Sequence, residues 1–287
     1  MNGEVAEKIN ELKNDELHGA GWLSREAINT LNLAVGESQA HTIADFIDET
    51  KAVAAELTKA RPSMVSIANY IRLFLHQITL GAQNEKALDS LKSFALAKGN
   101  EFIKLSEEAT SKAAGNAASI ISNLDMVITC SYSSTVCRVF ELAKQKGAKF
   151  HIMVAESRFK DKAYGKITAE RLKQHLITGE VIPDEDIRLH VSKADKVLVG
   201  ADSILADVSL INGMPTHTLA SAAKDENIPF YTVCETAKFD IQGYISEPEP
   251  GFDKTPSALI TGIITERGIM EPSQVITYIE KMAGFSF

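Results

Sequence analysis

The feature that most constrains this chain is a change of hydrophobic rhythm near Asn123. Before it, apolar residues recur at a period near that of an α-helix: Val5, Ile9 and Leu12, then Ala27, Leu31 and Val35, then Ile43, Phe46, Ile47, Val53 and Leu57 across residues 42–60. His18-Gly19-Ala20-Gly21 interrupts the first run. Arg61-Pro62-Ser63 ends the third, because the residue before a proline is pushed out of the α region. Helices are expected to resume over 64–78 and 85–120, with no strand signal in this half. After Asn123 short apolar runs take over, at 126–129, 150–155, 179–182, 196–200, 230–234 and 259–265. Helical segments separate them at 136–147, 165–176 and 216–227, with another opening at Asp184. Strands alternating with helices imply crossover connections and a mostly parallel sheet. The expected fold is therefore α/β, with an N-terminal helical domain over 1–118 and an α/β domain over 119–287.

Charge and composition narrow the function. A formal net charge of −8 and the lack of a basic stripe argue against a grip on a nucleic-acid backbone, which is driven by neutralising phosphates. No stretch approaches the roughly 20 apolar residues that span a bilayer. Met1 leads into Asn2, Gly3 and Glu4 rather than an apolar signal region, so a cytoplasmic protein is expected. Cys130, Cys137 and Cys234 are odd in number and lack metal-ligand spacing, which points to reduced thiols and no metal.

In an open parallel sheet, ligands bind beyond the carboxyl ends of the strands. The residues that follow the strands are Cys130-Ser131-Tyr132-Ser133-Ser134-Thr135, Glu156-Ser157-Arg158, Gly200-Ala201-Asp202-Ser203 and Glu235-Thr236-Ala237-Lys238. The hydroxyl-rich loop enters the 136–147 helix, whose free N–H groups and dipole suit a phosphate; one of its hydroxyls is expected as a plain helix cap. Arg158 and Lys238 are candidate phosphate partners, and Asp202 a candidate acid, base or sugar ligand. Cys130, at a strand end beside a helix N-terminus, stands where a thiol pKa can fall; buried cysteine is the competing reading. The first strand–helix turn has no G-x-G-x-x-G, so a nicotinamide cofactor is not expected, nor any other.

The motifs along the chain resemble one superfamily: HGAG at 18–21, ARPSMVSIANYIR at 60–72, ITCSYSSTV at 128–136, VAESR at 154–158, KADKVLVGADSI at 193–204, LIN at 210–212, IPFYTVCETAKF at 228–239, FDKTP at 252–256 and ITERGI at 264–269. It is the superfamily of the alpha, beta and delta regulatory subunits of translation initiation factor two-B, with ribose-1,5-bisphosphate isomerase and methylthioribose-1-phosphate isomerase. The resemblance implies a helical domain, a Rossmann-like domain, dimers or assemblies of dimers, and a phosphosugar or nucleotide pocket between the domains. It carries over Gly19, Ala20, Arg61, Ser131, Ser133, Ser134, Glu156, Arg158, Asp202, Asn212 and Lys238 as pocket residues. The isomerases pair a catalytic cysteine with an aspartate. Asp202 matches the aspartate, Ser131 stands at the cysteine's place and Cys130 immediately before it. Gly213 and Pro215 stand where a lysine and a glycine are common, and His18 where a basic residue precedes Gly-Ala. The expected function is a phosphosugar- or nucleotide-binding protein of the regulatory-subunit type, with a translation factor as a further partner. The alternative is an aldose–ketose isomerase using Asp202 with Cys130 or Ser131.

Overall fold

The computed structural model describes residues 2–243, 245 and 247–283. The chain divides into two compact units between Glu108 and Ala109. The first holds α1 (Gly3–Asn14), α2 (Ala20–Gly36), α3 (Ile43–Ala60), α4 (Val65–Asn84) and the first turns of α5 (Leu88–Ala118). Side-chain oxygens of Asn2 and Thr42 cap α1 and α3 by accepting otherwise orphaned amides. The apolar positions read from the sequence form its core: Leu31 and Val35, Phe46 and Leu57, Phe74 and Leu91 are all fully buried. Helix α2 lies against both α3 and α4. There the buried hydroxyls of Ser24 and Ser66 satisfy each other at 2.7 Å.

The second unit contains β1 (Met126–Thr129), α6 (Ser134–Gln145), β2 (His151–Ala155), β3 (Arg158–Phe159), β4 (Lys162–Ala163), α7 (Tyr164–Gln174), β5 (Gly179–Ile182), α8 (Ile187–Val191), β6 (Lys196–Val199), β7 (Ser203–Ile204), β8 (Leu210–Gly213), α9 (Thr216–Asp225), β9 (Phe230–Val233), β10 (Phe252–Thr255), β11 (Gly262–Thr265), β12 (Gly268–Met270) and α10 (Pro272–Ala283). Seven strands form one sheet in the order β12-β11-β9-β6-β1-β2-β5. All pairings are parallel except that of β11 with β12. Its inner strands β1, β2, β6, β9 and β11 are largely buried on both faces, which is why they read as apolar runs. Ile128, Val197 and Val199 pack with Val191, Leu219 and Val275 on one face; Val127, Val154 and Leu198 pack with Phe140, Leu172 and Ala117 on the other. The chain enters at β1, winds out through β2 to β5, then returns to β6 and winds the other way. The switch point, where the loops on either side part and leave room for a ligand, therefore lies between the carboxyl ends of β1 and β6.

The parallel sheet is the one the alternating pattern predicts, but several elements go beyond it. The sequence reading takes 259–265 as the last strand. The observed strand is shorter, after a 3₁₀ turn at Ser257–Leu259, and is followed by antiparallel β12 and by α10. A second, antiparallel sheet, β10-β8-β7, and the β3–β4 hairpin are further additions. Strands β3, β4 and β7 span two residues each, too few to show a period, and β8 finds its partner β10 far along the chain. Among the described residues no helix is long and apolar enough to cross a membrane.

Candidate ligand site at the carboxyl edge of the sheet

The loop between β1 and α6 resolves the two residues that compete for the thiol's role. Cys130 is 2% exposed and its Sγ lies 3.2 Å from Thr216 Oγ1. Burial pushes this thiol up to about 12, although the Thr216 hydroxyl pulls the other way. That is opposite to the lowering a neighbouring helix N-terminus offers, because desolvation of a thiolate outweighs it here. Ser131 takes a left-handed conformation at φ 60°, which a serine adopts only when its surroundings hold it there. Its N–H donates to Ser157 Oγ at 2.6 Å and its carbonyl accepts from Thr168 Oγ1 at 2.7 Å. Its hydroxymethyl lies so close to Gly213 that a β-carbon at 213 would stand 2.2 Å from the Ser131 Oγ.

Ser133 is the cap the sequence allows for, accepting the Val136 N–H at 3.3 Å. It also rests on Gly200, where a β-carbon would come within 2.6 Å of its Oγ. Glycine at 200 thus lets the ends of β1 and β6 close on each other. Ser134 is the exposed first residue of α6.

At the end of β2, Glu156 and Arg158 bind each other. The Arg158 guanidinium spans the carboxylate, Nη2 to Oε1 at 2.7 Å and Nε to Oε2 at 3.2 Å, and Lys166 adds a contact at 2.8 Å. Hydrogen bonds from Lys166 and Arg158 hold the Glu156 carboxyl below its usual range. The backbone amides of Ser157 and Arg158 are tied to Asp184, at 2.7 and 2.9 Å.

The other side of the switch point carries the densest polar chemistry. The Asp202 N–H donates to the Ile211 carbonyl at 2.9 Å, fixing the turn after β6 against β8. Lys238, 5% exposed, donates to the Ala201 carbonyl at 2.7 Å. Asn212 donates to Thr216 Oγ1 at 2.9 Å and faces Asp253 directly across the β8–β10 ladder. Burial pushes the Asp253 carboxyl up to about 6, although the His217 N–H at 3.0 Å favours its ionised form. Its Oδ1 is buried without a donor. Glu235 is fully buried, and among the described residues neither of its carboxyl oxygens meets a donor.

The sequence singles out Lys238, Asn212 and Asp202; it places Glu235 only within the strand-end stretch 235–238 and Asp253 only within the FDKTP motif, with no role for either. Glu235 follows β9 much as Asp202 follows β6, a signal open to sequence reasoning. Asp253 is unreadable without the β8–β10 register.

In the first unit, Gly19 caps α2 with no side-chain contribution, leaving the amides at Ala20 and Gly21 uncapped by side chains. The Arg61 guanidinium donates to the Asp15 carbonyl at 2.6 Å, which fastens it to the segment just ahead of Gly19. The His18 ring stacks on Trp22 with centroids 3.8 Å apart, and its Nδ1 lies 2.8 Å from Asp15 Oδ2. Gly19, Ala20 and Arg61 are thereby gathered at one end of α2. Among the described residues no group of three His, Cys, Asp or Glu side chains is placed to hold a metal ion.

Residues 16–248 match the model of the initiation factor 2 subunit family. A ribose 1,5-bisphosphate isomerase of Thermococcus kodakarensis is 31% identical over 310 aligned positions, covering 99% of this chain and 95% of its own. A protein of Pyrococcus horikoshii named for its likeness to translation initiation factor eIF-2B subunit 2 is 32% identical, over 95% of this chain and 98% of its own. The solved structure of a Pyrococcus horikoshii translation initiation factor eIF-2B superposes with a TM-score of 0.83 at 29% identity, covering 96% of this chain and all of that one.

Proposed function

Since the chain belongs to the initiation factor 2 subunit family, we propose that it binds a phosphorylated sugar or a nucleotide at the β1–β6 switch point, as a regulatory-subunit type of protein. The observation that carries this is Lys238: a buried ammonium with one carbonyl partner, at the edge where the fold leaves room for a ligand. A lysine is almost never fully buried unless something pairs with it, and a phosphate oxygen supplies that pairing. The Ser131–Ser134 loop and the start of α6 contribute hydroxyls and amides of the kind a phosphate takes. The protein acts as a homo-oligomer in the cytoplasm, a dimer or an assembly of dimers, with a translation factor as a further partner; these rest on the family alone.

The second reading is an aldose–ketose isomerase acting on a ribose phosphate. Asp202 and the likeness to a ribose 1,5-bisphosphate isomerase favour it. Against it, the thiols at this edge, Cys130 and Cys234, are buried and pushed up by that burial, and Ser131 offers a hydroxyl that is a far weaker acid. Proton NMR of the protein with ribose-1,5-bisphosphate and with methylthioribose-1-phosphate separates the two. Line broadening without conversion is expected. Conversion that disappears in Asp202→Asn establishes the isomerase instead, and neither broadening nor conversion overturns both readings.

A further inference from the structure

Glu235 is a carboxyl group at this edge for which the described residues supply no donor. It has no exposed surface, and among the described residues nothing donates to either of its oxygens. Burying a carboxylate without donors costs several kcal/mol, so its presence weakens rather than builds the core. Its position is well defined. Val199 of β6 pairs with Thr232 of β9, and Glu235 opens the 3₁₀ turn that follows β9 at the carboxyl end of the sheet. Lys238 follows one 3₁₀ turn later and reaches back to the carbonyl of Ala201, the residue before Asp202. A donor-only ammonium and an acceptor-only carboxylate therefore share the stretch of sheet edge beside Asp202.

What satisfies both is constrained by their chemistry. An ionised carboxylate has two oxygens side by side and needs hydrogen donors. A cationic donor is disfavoured by the Lys238 charge nearby, which leaves neutral donors. Two hydroxyls on adjacent carbons match a carboxylate's two oxygens, and a phosphate on the same molecule matches the ammonium. We infer that Glu235 reads the sugar of the ligand, its two oxygens accepting the hydrogens of a vicinal diol while Lys238 holds the phosphate. This rests on the phosphosugar reading above and assigns it a specificity residue.

Calorimetry with ribose 5-phosphate, 2-deoxyribose 5-phosphate and inorganic phosphate tests it. The wild-type chain is expected to bind ribose 5-phosphate at least about tenfold more tightly than the 2-deoxy sugar, the worth of one hydrogen bond to a charged acceptor. In Glu235→Met that preference is expected to fall to about twofold or less, while inorganic phosphate still binds. A preference that survives in Glu235→Met overturns the inference and leaves phosphosugar binding standing. If Glu235→Met does not fold, the decision passes to Glu235→Gln, where an undiminished preference overturns it equally. A wild-type chain that binds none of the three probes overturns both the inference and the phosphosugar reading.

Discussion

Replacing Lys238 by methionine should cost the ligand-free protein at most about 2 kcal/mol of stability while removing most of its affinity for phosphate. Methionine matches the length of the lysine stem and brings no charge. The ammonium it replaces is 5% exposed and bonded to one carbonyl at 2.7 Å. Exchanging buried charged groups for apolar ones of similar volume is neutral or stabilising by about 1–4 kcal/mol. The Ala201 carbonyl left without its donor takes back about 1–2 kcal/mol. The net change thus lies between about 2 kcal/mol lost and about 3 kcal/mol gained by the variant. Phosphate loses a charge-assisted hydrogen bond of about 1.5–3 kcal/mol, a fall in affinity of about 10- to 150-fold. Urea unfolding followed by circular dichroism gives the first quantity, and calorimetry with ribose 5-phosphate and inorganic phosphate gives the second. A variant that loses more than about 2 kcal/mol of stability yet binds phosphate as before would refute the reasoning, because Lys238 would then be a structural residue. Removing Lys238 also strips Glu235 of a favourable neighbour, so the double variant with Glu235→Gln should be more stable than Lys238→Met alone.

Three further outcomes are expected. Gly213→Ala forces a β-carbon to within 2.2 Å of the Ser131 Oγ, which should cost about 1–3 kcal/mol of overpacking; Ser131→Ala should recover part of it, and a Gly213→Ala protein melting at the wild-type temperature contradicts the packing. Asp253 has a folded carboxyl pKa raised to about 6 by burial, so its contribution to stability is present below its unfolded pKa and is lost as pH rises through about 6. The span corresponds to at most about 3 kcal/mol, discounted to about 1–2 for partial exposure. Asp253→Asn should accordingly gain stability relative to wild type by that amount between pH 4.5 and 7.5 in urea titrations, and parallel curves would refute the assignment. Cys130, Cys137 and Cys234 are buried, and burial pushes all three thiols up. Iodoacetamide at pH 7.5 should modify none of them until denaturant is added, and rapid labelling of Cys130 would show its strand end to be open.

The division between what could be read in the sequence and what could not follows the range of the interactions. Helices α1 to α5 and the six parallel strands announce themselves because burial imposes a local period: Phe46 and Leu57 recur on a helical face, and Val197, Leu198 and Val199 are all apolar because both faces of β6 are covered. The strand ends, and with them Ser131, Asp202 and Lys238, follow from the strands. Pairings that depend on distant residues are silent. Asn212 meets Asp253 only once β8 and β10 are in register, and the isolation of Glu235 is a property of its whole surroundings. The mutual engagement of Glu156 and Arg158 is an intermediate case. Residues two apart leaving a strand share a face, so the pattern already sets the acid beside the base before either is assigned to a ligand.

The same distinction bears on whether the site handles protons. Adjacent residues leaving β1 turn to different surroundings: Cys130 goes to the buried hydroxyl of Thr216, while Ser131 is pinned at positive φ by Ser157 and Thr168 with its hydroxyl on Gly213. Cys130 therefore cannot serve at the Ser131 position without remaking both contacts. Nor is Ser131→Cys alone a simple reversal, since the larger sulfur would meet the backbone of Gly213, where the oxygen already fits closely. The serine at 131 and the glycine at 213 are two sides of one contact. Both are positions at which the chain departs from the isomerase pattern that its motifs otherwise resemble, so the departures are sterically coupled rather than independent. A lysine at 213 would require the Ser131 side chain to move, and a thiol at 131 would press on whatever occupies 213.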